Sequence, residues 1–110
     1  MFVSASNLGY AAETYLDVLP AEAIGEIHLA GHGVDANEAR SGSSLLIDTH
    51  GAPVKGDVWS LLEAAYARFG VRPTLLERDF HFPPFAELLD EVATIRACQA
   101  RHAERNRARA

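Results

Sequence analysis

The chain has a single cysteine, Cys98, among 110 residues. No internal disulfide can form, and with no Cys-x-x-Cys pair near it the redox, iron–sulfur and cysteine-ligated zinc readings are set aside. Long apolar runs are also missing. The apolar-rich stretches, such as Ser44 to Ile47 and Val71 to Leu76, fall far short of the roughly 20 residues that cross a bilayer. Met1 to Leu8 has neither the basic start nor the apolar stretch of a signal peptide, so a soluble cytoplasmic protein with no membrane partner is expected. Basic residues are scarce up to Ile95, where 14 Asp and Glu face 5 Lys and Arg; Arg96 to Ala110 reverses this, with five Arg against Glu104. An acidic body disfavours nucleic acid. The Arg-rich end is read as a solvated helix terminus, His102 included, whose cations suit the helix dipole. The composition that remains, 48% hydrophobic and 23% charged, is that of a chain that folds.

Along the chain, Phe2 to Ala5 reads as a short strand ending in the turn Asn7-Leu8-Gly9. Ala12 to Leu19 places Ala12, Tyr15, Leu16 and Leu19 on one helical face before Pro20. Ile24 to Ala30 reads as a strand. Gly31 to Ser43 has almost no apolar residues and is expected to be a long loop. The strand after it, Leu45 to His50, is therefore part of an excursion rather than a parallel neighbour, because a parallel crossover needs a packed element of a dozen or more residues. Asp57 to Phe69 carries Val58, Leu61, Leu62, Ala65 and Phe69 on one stripe, with Asp57 as N-cap and Gly70 just past the end. Pro73 to Glu77 reads as a buried strand. After Pro83-Pro84, the series Phe85, Leu88, Leu89, Val92 and Ile95 predicts a long helix, with Cys98 a small buried apolar residue and Trp59 in the core. Helix alternating with strand is the rhythm of an α/β protein.

The chemistry-bearing residues gather at the carboxyl ends of these strands: His28, then Asp48 and His50, then Glu77. In parallel α/β folds that edge is where ligands sit. Side chains alternate along a strand, so Asp48 and His50 point the same way, as do Glu26 and His28. Two imidazoles and two carboxylates facing one cavity suit non-haem iron, manganese or zinc, or are separate hydrogen-bonded polar residues.

The strings GEIHLAGH (Gly25 to His32), LLIDTHGAPV (Leu45 to Val54), Val58-Trp59 and PTLLERDFHFPPFAELL (Pro73 to Leu89) resemble the C-terminal part of the multinuclear non-haem iron-dependent oxidative enzymes, which include the methanobactin biosynthesis oxidase. The resemblance extends to about Ile95 and implies a xylose isomerase-like (β/α)8 TIM barrel holding two or three irons. It also implies oxidative modification of cysteine-containing, ribosomally made precursor peptides in natural product biosynthesis, with a partner protein that presents the peptide. It implies His28, Asp48, His50 and Glu77 as iron ligands, using dioxygen at ferrous ion. Asn7 matches the family's V-S-A-x-N-H-G turn, whereas Leu8 replaces a frequent His, and His81 stands where Asn is common. Glu26 is expected to orient His28, His32 and Asn7 to lie near substrate, and Asp79 to pair with Arg78.

A barrel of this type needs roughly 250 residues, so 110 supply only three to four of its eight units. The expectation is a C-terminal fragment, inactive alone, with a partial barrel domain over residues 1–95 and a basic helix end over 96–110. Its open edge invites self-association. Two other readings compete: a divalent-metal sugar isomerase or epimerase on the same barrel, and a non-catalytic remnant or interaction module.

Overall fold

The computed structural model describes residues 1–35, 45–47 and 50–109. The chain opens with a helix, α1 (Phe2–Leu8), where the sequence reading expects a strand. A strand must pair its backbone groups with a neighbouring strand, and among the described residues the two sheets pair β1 with β4 and β2 with β3, leaving this segment in neither. A helix satisfies most of them internally, and it buries Ala5 against Ala12 and Leu16. Gly9 ends the helix at φ 80, donating its N–H to the Ala5 carbonyl, a conformation in which a Cβ would be strained.

Helix α2 (Ala12–Val18) buries Ala12 and Leu16 and stops before Pro20, as its periodicity predicts; Tyr15 lies exposed beside them. Its last turn has no basic residue of its own. The guanidinium of Arg68 supplies that function from across the fold, donating to the carbonyls of Leu16, Asp17 and Leu19 at 2.9, 3.0 and 3.2 Å. The open carbonyls of a helix C-terminus are thereby satisfied.

A short 3-10 turn, Ala21–Ala23, leads into β1 (Ile27–Ala30). The chain then leaves in an antiparallel hairpin, β2 (Gly33–Asp35) with β3 (Leu45–Ile47), registered Gly33 to Ile47 and Asp35 to Leu45. The Leu45 to Ile47 strand is thus an excursion, but part of the expected loop before it is strand. Gly31, at the departure point, has no room for a side chain, since a Cβ there would run into the Ala52 and Pro53 carbonyls.

Helix α3 (Gly56–Phe69) carries the predicted buried stripe, to which the structure adds Tyr66. Asp57 is not its N-cap. Lys55 holds that position without a side-chain bond, and Asp57 lies in the first turn, where a carboxylate faces the positive end of the helix dipole. Gly70 closes the helix through its N–H to the Tyr66 carbonyl. β4 (Thr74–Glu77) then pairs in parallel with β1, Ile27 opposite Thr74 and Ala30 opposite Glu77. Helix α4 (Phe85–Arg109) runs unbroken past position 96.

Alternation along the β1–β4 pair gives it two unlike faces. Ile27, Leu29 and Leu76 face Val54, Val58, Leu62, Tyr66, Ile95 and Cys98 from α3, its approach and α4. Glu26, His28, Leu75 and Glu77 belong to the other face, which no helix covers among the described residues. The strand expected to be buried is therefore buried on one face only, and Leu75 is 53% exposed. A second cluster joins α1 and α2 to the far side of α3 through Ala5, Leu16, Leu61, Ala65 and Phe69.

Candidate metal centre

The uncovered face of the β1–β4 pair carries the polar groups. Parallel pairing sets Glu77 two residues beyond the position opposite His28, and the side chains meet, His28 Nδ1 lying 2.5 Å from Glu77 Oε1. The other ring nitrogen, Nε2, lies 2.8 Å from Glu26 Oε1. The Glu26 hydrogen bond, helped by the charge of Glu77, raises the His28 pKa above the usual 6.5 against the opposing effect of burial.

His50 arrives from the segment after β3 at φ 53, a left-handed conformation uncommon outside glycine and often found at functional sites. Its Nδ1 is 3.3 Å from Glu77 Oε2 and 3.2 Å from Asp79 Oδ2. A backbone bond from the Asp79 N–H to the His50 carbonyl, 2.7 Å, joins the two segments. Glu77 therefore turns one oxygen to each histidine. Donor atoms of His50, Glu77 and Asp79 all lie within 4.8 Å of one another, close enough to hold one metal ion.

The expected Arg78–Asp79 pair does not form. The two side chains leave the backbone in different directions: Asp79 turns to His50, and Arg78, its side chain only 6% exposed, turns to Glu91 at 3.1 Å. Arg78 also donates to the His81 carbonyl at 3.1 Å, and Glu91 Oε2 accepts the Val54 N–H at 2.9 Å. This buried pair clasps the segments after β3 and β4 to α4 and so sets where His50 and Asp79 stand. His81, at φ 55, donates from Nδ1 to the Gly51 carbonyl at 3.2 Å. Histidine and asparagine are both enriched in that backbone region, which gives a physical reason why either residue suits the position.

Asp48 lies outside the described residues. His32 is buried at 6% exposure, and Asn7 is exposed on α1. A cavity of roughly 320 Å³ receives His28, His32 and His50. Every residue from Glu26 to His32 borders it, so it runs along the edge of β1 that β4 leaves unpaired.

A second group of ligand-type side chains lies between the outer helices, and the sequence reading missed it. His102, expected in solvent, is 4% exposed, and Cys98 is 2% exposed. Both turn to Glu63 of α3, with Cys98 Sγ donating to Oε1 at 3.1 Å and His102 Nε2 to Oε2 at 2.6 Å. Arg101 also bonds Oε1. These donors, the Cys98 thiol foremost, then His102 and Arg101, pull the Glu63 pKa from 4.5 to about 2. Burial, with Glu63 beside it, pushes Cys98 to about 11. A depressed carboxyl pKa stabilises the fold above its unfolded value, and the contribution is lost as pH falls through the folded one. In chelator-treated protein, urea unfolding of the wild type should therefore lose stability relative to Glu63→Gln as pH falls from about 4.5 towards 2. An unchanged difference over that window would show that Glu63 is not held as a carboxylate by these donors.

Fold and site together define an α/β protein with a histidine–carboxylate cluster on the uncovered face of a parallel strand pair, where Glu77 closes β4 but His28 is the second residue of β1 and not its end. The chain belongs to the family of RiPP precursor modification enzymes MbnB/TglH/ChrH, whose model matches residues 1–100. It is 65% identical over 91 residues to a UPF0276 protein of Caulobacter sp. (strain K31), a match covering 83% of this chain and 32% of that protein. It is 48% identical over 104 residues to a UPF0276 protein of Pseudomonas aeruginosa (strain UCBPP-PA14), covering 94% and 34%. The chain thus spans about a third of the length of these relatives and corresponds to their C-terminal part. No solved structure matches it. No helix among the described residues is long and apolar enough to cross a membrane.

Proposed function

We propose that this chain is the C-terminal portion of a multinuclear non-haem iron enzyme that uses dioxygen to modify cysteine-containing precursor peptides, built on a (β/α)8 barrel whose other strands lie elsewhere in the whole protein. The observation that carries the reading is Glu77, with one carboxylate oxygen turned to His28 and the other to His50. A carboxylate so placed fits a centre of more than one ion. Imidazoles and carboxylates without a thiolate suit ferrous iron better than an iron–sulfur cluster.

On this reading His28, His50, Glu77 and Asp48 hold iron, and Asp79, which turns to His50 instead of the expected Arg78, joins them. Bound ferrous ion supplies the electrons that activate dioxygen. Glu26 fixes the ring of His28 by accepting from Nε2, which orients the opposite nitrogen towards the centre. His32 borders the cavity beside these ligands and Asn7 lies on α1; both are assigned to substrate contact. The unpaired edge of β1 and the uncovered face with Leu75 receive the remaining barrel strands. A peptide-presenting partner protein and a cytoplasmic setting complete the proposal.

The test compares the full-length protein with the 110-residue chain. Purified without oxygen, the full-length protein should hold more than one iron per chain and change the mass of a cysteine-containing precursor peptide only when oxygen is admitted. The short chain should bind at most one weakly held iron, leave the peptide unchanged and sediment as an oligomer through its open edge. Zinc alone in the full-length protein, with peptide unchanged by oxygen, sinks the oxidative reading.

A further inference from the structure

We infer that Glu63, Cys98 and His102 form a second metal site, separate from the histidine–carboxylate centre, that takes a zinc ion and ties α3 to α4. Cys98 and His102 are four residues apart on α4, so their side chains rise from one face one turn apart. Glu63 meets both from α3. One ligand atom from each, a sulfur, a ring nitrogen and a carboxylate oxygen, lies within 4.8 Å of the other two. A thiolate, an imidazole and a carboxylate are all established zinc ligands, and the first two favour zinc over magnesium or calcium. A thiolate and a carboxylate together balance the charge of a divalent ion. Three protein ligands leave a fourth tetrahedral position for water.

The geometry also provides an entrance. Cys98 and His102 are buried, whereas Glu63 and Arg101 are 39% and 60% exposed at their side chains. Arg101 now places its cationic guanidinium on Glu63 Oε1. Zinc binding therefore displaces that guanidinium and the thiol proton into solvent, while the ring proton of the neutral His102 moves from Nε2 to Nδ1 and leaves Nε2 free to bind the ion. Tyr66 packs against the imidazole in a T-shaped contact, the ring centroids 5.8 Å apart. The site sits on the helical layer, on the opposite face of the sheet from Glu77, so occupancy of one centre does not require the other.

The chain's single cysteine makes the test specific. Cobalt(II) added to the chelator-treated, reduced 110-residue chain should give one equivalent of thiolate-to-metal charge-transfer absorption with tetrahedral d–d bands, and zinc should bleach both. Cys98→Ser should abolish the charge-transfer absorption and His102→Ala should weaken cobalt binding at least about tenfold, while His50→Ala leaves the signal intact. In the unmutated chain, zinc should slow alkylation of Cys98 at least about tenfold, a readout that does not depend on any variant folding. No charge-transfer absorption in the wild type, zinc-insensitive alkylation, or a signal lost with His50→Ala and kept with His102→Ala would each overturn the site. None of these outcomes bears on iron or peptide oxidation, so this inference and the proposed function fail separately.

Discussion

Replacing His50 by Ala in the full-length protein is expected to bring bound iron below one per chain and to lower oxygen-dependent peptide modification by at least about a hundredfold. Even partners that only orient metal ligands cost about 10–100-fold in metal affinity or activity when removed, and the proposed function makes His50 a ligand itself. Its Nδ1 is the group on which Glu77 and Asp79 converge, at 3.3 and 3.2 Å. Without the imidazole, two carboxylates face each other with no neutral donor between them. Lys55→Ala, an exposed change at the start of α3, serves as the control and should retain iron and activity. Metal analysis and the mass of the peptide product provide the measurements; iron content and turnover equal to wild type in His50→Ala would remove this residue from the centre.

Arg78→Met is expected to destabilise the fold by about 3–5 kcal/mol, because truncating one member of a buried ion pair strands its partner's charge. Arg78 and Glu91 are 6% and 15% exposed at their side chains, and Glu91 also holds the Val54 N–H. The loss therefore reaches the segment that carries His50, and the full-length variant should release iron more readily as well. Arg78→Met combined with Glu91→Leu should recover most of the stability, since an apolar pair leaves no uncompensated charge, without recovering the Val54 contact. Urea unfolding of the two variants measures this. A cost below about 1 kcal/mol for Arg78→Met would show that the pair behaves as a surface contact.

Helices α2, α3 and α4 and strands β1 and β4 were legible because periodicity is a local property: the spacing of Val58, Leu61, Leu62, Ala65 and Phe69 states which face is apolar. That the strand after β2 is an excursion and not a parallel neighbour of β1 was legible too, since the polar Gly31 to Ser43 stretch cannot serve as a packed crossover. Phe2 to Ala5 was misread because a run of four residues carries too little period to distinguish strand from helix. There the outcome rests on whether another strand is available to pair with it. The burial of Pro73 to Glu77 was overstated because an apolar strand does not record whether its second face has a neighbour.

The sequence by itself determined the donor types and the face they share, His28 and Glu77 above all, because alternation follows from the backbone; Glu77 closes β4 as expected, whereas His28 is the second residue of β1 rather than its end. Only tertiary structure decided their partners. Arg78 and Asp79 are adjacent in sequence yet serve different neighbours, since burial brought Arg78 a carboxylate on α4 and the His50 backbone drew Asp79 the other way. Cysteine-ligated zinc was set aside because its usual signature is cysteines clustered in sequence. Here Glu63 lies 35 residues from Cys98 and 39 from His102, and only the packing of α3 on α4 brings the three together. A side chain's spacing fixes the face it occupies, and the element packed against that face determines what it meets.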